Sequence, residues 1–194
     1  LVVNALDMSQ TPRQKSLRYL FFHIFAADMM SQHIQTKMIV AFTGHRNYCN
    51  QTDDALKNAI ATLYEAGARH FRVGMAQGFD LAAGKAVAEL MATNRNIVLE
   101  LCIPYPAFAS GFDTEERALY DHILNLATIV RYASEHYHSG VYNRRNNMLV
   151  DDATHLIAWW DGRRSGTEYT VRRARRQGVI THNLYPNPQL TFSL

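Results

Sequence analysis

Gly74-Met75-Ala76-Gln77-Gly78-Phe79-Asp80 follows the strand-like run His70-Phe71-Arg72-Val73 and leads into Leu81-Ala82-Ala83, and the reading of this junction decides the fold. A buried strand that ends in glycine lets its backbone come close to a ligand. A helix starting directly afterwards turns unpaired N–H groups and the positive end of its dipole toward the same point. Two more junctions have this form: Thr43-Gly44-His45-Arg46 after the apolar run 38–43, and Ser165-Gly166-Thr167 after the run 155–160. Together the three describe an anion-binding crevice, and the expected ligand is a phosphate-bearing nucleotide or a nucleic acid.

Outward from these loops, strand-length apolar runs alternate with helix-period segments. The candidate strands cover 38–43, 70–75, 97–103, 128–132, 155–160 and 179–184. Most are continuously apolar, as strands of a parallel sheet covered on both faces should be. Between them, Leu56, Ala59, Ile60 and Leu63 recur at helical spacing, and a second helix opens at Asp80, which can cap it. Asp113 and Glu116 have the spacing of a capping box ahead of a helix over 114–126. Further helices are expected over 143–152 and 167–177. The predicted fold class is α/β: a single Rossmann-like domain with a mainly parallel sheet and helices on both faces.

A chain of 194 residues, nearly half of them apolar, can bury one good core. Cys49 and Cys102 are the only cysteines, which argues against a disulfide framework and for a cytoplasmic setting. The formal charge of +3 is modest, but Arg144, Arg145, Arg163, Arg164, Arg172, Arg173, Arg175 and Arg176 crowd the C-terminal third. Such a run reads either as a solvated helix face or as a phosphate-contacting surface. Residues 1–36 are expected to form an N-terminal extension, helical or poorly ordered, ahead of a domain over 37–194. The apolar run 17–27 within it is broken by Arg18 and His23 and is too short to span a bilayer, so no membrane partner is expected. His136-Tyr137-His138 has no cysteine or carboxylate at ligand spacing, so no metal is expected.

Residues 38–185 resemble the SLOG superfamily of Rossmann-like proteins, which unites the DNA-processing protein Smf/DprA, the Lonely Guy hydrolases and the YpsA-like proteins. Gly44-His45-Arg46 is similar to the Gly-Ser-Arg turn of Smf/DprA. Gly74-Met75-Ala76-Gln77-Gly78-Phe79-Asp80 fits its Gly-x-Ala-x-Gly-x-Asp spacing in full. Asn143-Arg144, the strand ending at Trp160 and Ser165-Gly166-Thr167 match the later motifs in order. Thr43-Gly44-His45-Arg46 and Gly166-Thr167-Glu168-Tyr169-Thr170 look most like the YpsA-like branch. The resemblance implies a nucleotide-derived ligand and singles out Arg144, four residues before Met148, as the counterpart of a catalytic arginine in the Lonely Guy enzymes. Those enzymes carry a glutamate where this chain has Thr170. Glu168 does not replace it easily, because two residues rotate a helical side chain by about 200°.

The candidate ligand or phosphate site therefore comprises Thr43, Gly44, His45, Arg46, Gly74, Gln77, Gly78, Asp80, Asn143, Arg144, Ser165, Gly166 and Thr167. Several have a plain structural reading beside the functional one: Ser165 and Asp80 as helix caps, Arg144 as a surface arginine paired with Asp151 or Asp152. One of Trp159 and Trp160 is expected in the core and the other in the crevice, with Tyr105, Phe108 and Phe112 as an aromatic wall. The leading expectation is binding or sensing of a small nucleotide-like ligand, with no other cofactor. A nucleotide hydrolase and a Smf/DprA-like binder of single-stranded nucleic acid are the alternatives, and a homo-oligomer stays open.

Overall fold

In the computed structural model the described residues are 37–186. The expected extension over 1–36 lies outside them. Six strands, β1 (Ile39–Gly44), β2 (His70–Val73), β3 (Val98–Ile103), β4 (Ile129–Tyr132), β5 (His155–Trp159) and β6 (Ile180–Asn183), alternate with five α-helices. The helices are α1 (Asp53–Glu65), α2 (Phe79–Thr93), α3 (Thr114–Leu126), α4 (Val141–Val150) and α5 (Gly166–Arg176), with a 3-10 turn at Phe108–Gly111. Every strand pair is parallel, in the order β4-β3-β2-β1-β5-β6.

Alternation along the strands sorts the core into two layers. Val40, Phe42, Phe71, Val73, Leu99, Leu101 and Ile157 face α1, α2 and α3, where Leu56, Ile60, Phe79, Val87 and Ile123 meet them. The intervening positions Ala41, Leu156 and Ala158 face α4 and α5 through Leu149, Val150, Val171 and Ala174. The helices thus lie on both faces, because the four inner strands β1, β2, β3 and β5 are buried on both.

β4 departs from the expectation of a buried strand. All four of its residues are exposed, with Ile129, Val130 and Tyr132 at 38–44%. It has one neighbouring strand only, so its apolar content reflects the edge of the sheet rather than its interior. The start of α2 also departs. Gly78 is the residue before the helix, no side chain caps it, and Asp80 lies inside the first turn. The capping box of α3 forms as read, with Asp113 accepting from the Glu116 N–H at 2.8 Å.

The strand order places the site. From β1 the chain winds outward through β2 and β3 to β4, then crosses back to lay β5 on the other side of β1. At such a switch point the loops leaving two adjacent strands diverge to opposite faces and leave a crevice at their C-terminal ends. Here those strands are β1 and β5, which end level, Gly44 beside Trp159.

Candidate functional site

A crevice of about 360 Å³ opens at this switch point, lined by Thr43, Gly44, His45, Arg46, Ala76, Asp80, Tyr142, Arg145, Asn146, Ser165, Gly166 and Thr167. Its floor is set by close backbone approaches. A side chain on Gly44 would run into Phe79, and one on Gly78, at φ +72°, would meet the carbonyls of Arg46 and His45. The Phe79 N–H donates to the His45 carbonyl at 3.2 Å, which fastens the first loop to the second. Met75, buried between them, holds φ +61°, a conformation that a β-carbon disfavours and that clusters at functional loops.

Beneath the crevice lies a buried ion pair. Arg145 donates to the Gly74 carbonyl and to the Asp80 carboxylate at 3.1 Å, and Asp80 also accepts from the Ala76 N–H at 3.3 Å. Burial pushes the Asp80 carboxyl above its ordinary range, against the pull of Arg145 and of the Ala76 and Gly44 backbone. The Arg145 side chain is 8% exposed, and its Nε is buried with no acceptor. Gly74 must be glycine for this, since a β-carbon there would overlap both side chains.

The wall is the start of α5. Ser165 accepts from the Glu168 N–H at 3.1 Å and so caps the helix, which fulfils its structural reading. The N–H groups of Gly166 and Thr167 have no intrahelical acceptor at this end. The Gly166 carbonyl accepts from Thr170 Oγ1 at 3.0 Å and Asn146 Nδ2 at 3.3 Å, so α4 steadies the loop from below. A β-carbon on Gly166 would meet nothing nearer than Asn146 Nδ2 at 3.6 Å. Of the glycines at the crevice, this is the one that packing does not require.

At the mouth, His45 Nε2 lies 2.9 Å from Asp161 Oδ1. Despite a burial penalty, the Arg163 N–H and His45 hold the Asp161 carboxyl below its ordinary range. Arg46 is exposed and pairs with no carboxylate among the described residues.

The structure brings Thr43, Gly44, His45, Arg46, Asp80, Ser165, Gly166 and Thr167 together around one crevice. Gly74 and Gly78 support it from below. Gln77 turns away and donates to Glu116 on α3 at 2.6 Å. Asn143 and Arg144 do not face the crevice: both are exposed, and Arg144 lines a neighbouring groove. Their places are taken by Asn146 and Arg145, which the motif comparison missed. The signal was present. Val141 and Leu149 fix the buried face of α4, and Arg145 stands four residues from each, whereas Arg144 is rotated out of that face. Asp151, a suggested partner of Arg144, pairs instead with Arg173 at 2.7 Å. Neither tryptophan lines the crevice. Trp159 packs on Tyr48 and Tyr185, and Trp160 donates to the Arg163 carbonyl under Arg175.

Among the described residues no helix is long and apolar enough to cross a membrane. The model of the YspA SLOG family (YpsA) matches residues 33–193. No curated protein sequence matches the chain. Among solved structures, DNA processing protein A (DprA) from Streptococcus pneumoniae aligns with a TM-score of 0.55 at 19% identity, over 75% of this chain and 49% of that one. DNA processing protein A from Helicobacter pylori, described by its single-stranded DNA binding mode, aligns with a TM-score of 0.59 at 16% identity, over 79% of this chain and 68% of that one. The chain thus spans about half the length of the pneumococcal protein.

Proposed function

Because the chain belongs to the YspA SLOG family, we propose that its switch-point crevice binds a phosphate-bearing, nucleotide-derived small ligand, and that binding rather than hydrolysis is its activity. The observation that carries this reading is Gly166. It sits at the N-terminus of α5 with its N–H unmet, and the fold has no steric need for a glycine there. An anion seated on Gly166 and Thr167 gains the helix dipole and two backbone donors. Arg145 beneath and Arg46 at the rim supply positive charge.

Hydrolysis needs a carboxylate free to take or give a proton. The acids near the crevice are engaged: Asp80 with Arg145, Asp161 with His45, and Glu168 with Arg172 at 3.3 Å. Thr170 stands at the position of the Lonely Guy glutamate and is fully buried. The nucleic-acid reading draws support from the likeness to the Helicobacter pylori protein and from the exposed arginines. Against it, Arg172 and Arg173 of α5 already pair with Glu168 and Asp151.

Gly166→Asp tests the proposal, because the side chain has room and would place a carboxylate where the anion sits. Nucleoside monophosphates should raise the melting temperature of the unaltered protein and leave that of Gly166→Asp unmoved. Equal stabilisation of both would refute the cradle. Binding of a short single-stranded DNA should be weak and vanish near physiological salt, whereas salt-resistant tight binding would favour the nucleic-acid reading.

A further inference from the structure

Of the six large apolar side chains that stand exposed among the described residues, four, Leu126, Ile129, Val130 and Tyr132, fall within seven residues at the outer edge of the sheet. β4 has β3 on one side and no strand on the other. The backbone groups that it turns outward follow from the ladder. The Val98 N–H donates to the Arg69 carbonyl and the Ala133 N–H to the Ile103 carbonyl, so alternation aims Leu101 at β4 and aims Ile129 and Arg131 back at β3. The N–H and C=O of Val130 and Tyr132 are left without a strand to meet them. Edge strands are commonly guarded by proline or by a free charge. β4 has neither, because its one charged residue, Arg131, already pairs with Glu100 at 3.0 Å.

We propose that this edge is an interface between two copies of the chain, joined β4 to β4 in antiparallel fashion about a two-fold axis. The strand is its own best mate. Antiparallel hydrogen bonding sets an outward residue of one copy opposite an outward residue of the other, and two such registers overlap most of the strand. One brings Arg131 against Arg131 in a non-hydrogen-bonded pair, with Cα atoms about 4.5 Å apart, where like charges repel. The other sets Val130 against Val130, Thr128 against Tyr132, and Ile129 against the aliphatic stem of Arg131, whose guanidinium keeps Glu100. Charge selects this second register. It also carries Leu126 of the second copy toward Ser134 and the groove of about 540 Å³ beside Tyr132, so that a protrusion and a recess of the same chain face each other. Such a contact is self-complementary and closes at two copies. A pair of four-residue strands buries less than the roughly 800 Å² per partner of a standard interface, so the dimer forms and dissociates with concentration. Because the two strands run oppositely, the switch-point crevices open at opposite ends of the joined sheet and act independently.

Sedimentation equilibrium from micromolar to near-millimolar protein should show a reversible equilibrium between monomer and dimer. Val130→Asp, at a position 38% exposed, should keep the urea unfolding curve and weaken dimerisation by more than about tenfold, since two carboxylates then meet at the axis. In a Cys49→Ser background, which removes the exposed native thiol, Val130→Cys should oxidise to a disulfide-linked dimer, because its Cα atoms stand about 5.5 Å apart across the axis. Tyr132→Cys is the control, since the same register holds its Cα atoms about 14 Å apart, too far for the bond. Monomer at every concentration, growth beyond a dimer, dimerisation untouched by Val130→Asp, or Tyr132→Cys cross-linking as readily as Val130→Cys would each overturn the edge pairing. Loss of nucleoside monophosphate stabilisation in Val130→Asp alone would overturn the independence of the crevices, whereas its absence from both proteins would count against the phosphate cradle only.

Discussion

Two buried carboxylates, Glu100 in β3 and Asp80 in the first turn of α2, each face arginine, and they differ in how fully they are satisfied. Glu100 on β3 accepts from His70 at 2.6 Å, Arg72 at 3.1 Å and Arg131 at 3.0 Å. Its carboxyl loses some stability by burial, yet these donors hold it down at about 2. Asp80, at the C-terminal end of the sheet, has one arginine and two backbone donors, and burial prevails in raising it. The Glu100 carboxylate is fully met by its three donors, although His70 Nδ1 on its far side is buried without a partner. Arg72 reaches past Glu100 to the carbonyls of Met148 at 3.0 Å and Leu149 at 3.3 Å, and so pins the end of α4. The Asp80 cluster is open, with the Arg145 Nε unmet. A buried charge with all its partners made builds the fold, whereas an under-satisfied one beside a crevice leaves capacity for a ligand.

The largest effect should come from Glu100→Gln. It strands the buried Arg72 without its counter-charge, and urea unfolding at neutral pH should show a loss of roughly 3–5 kcal/mol. The pH dependence has a definite sign. A carboxyl held at about 2 against an ordinary value of 4.5 contributes stability that is whole above the higher value and fades as pH falls to the lower. The unaltered protein should lose stability across that window, and Glu100→Gln should lose much less. A parallel decline in both would assign the acid sensitivity elsewhere.

Arg145→Met should be milder, about 1–3 kcal/mol, because Asp80 is already disposed to protonate and can shed its charge. The cost should shrink as pH falls, since protonation of Asp80 removes the unpaired charge, and it should do so at higher pH than for Glu100→Gln, because the Asp80 carboxyl is raised and the Glu100 carboxyl lowered. A loss as large as that of Glu100→Gln, unchanged at low pH, would erase the distinction between the clusters. Ser165→Ala removes one cap and should lower stability by about 1 kcal/mol. Gly166→Ala, with open space for its methyl, should stay within about 0.5 kcal/mol. A larger penalty would show that Gly166 serves the fold after all.

Much of this architecture is legible in the chain because its signals are local. Continuous apolar runs and the glycine junctions located all six strands, and helical periodicity with Asp113 and Glu116 located α3. What the runs could not convey is the number of neighbours a strand acquires, so β4 reads as buried while lying at the edge. Two stacked motifs also concealed a choice. Asn143-Arg144 and Arg145-Asn146 both offer an arginine beside an asparagine, and only the face fixed by Val141 and Leu149 selects the second pair.

The sequence by itself determined that strands end in glycine loops ahead of helices, since backbone approach and helix starts depend on residues adjacent in the chain. Tertiary structure alone decided that β5 lies beside β1, that Arg145 reaches across to Gly74 and Asp80, and that Gln77 turns to Glu116. Such contacts join residues up to 116 positions apart, as where His45 meets Asp161, and no local pattern encodes them. They follow from which faces must be buried together once the sheet has formed.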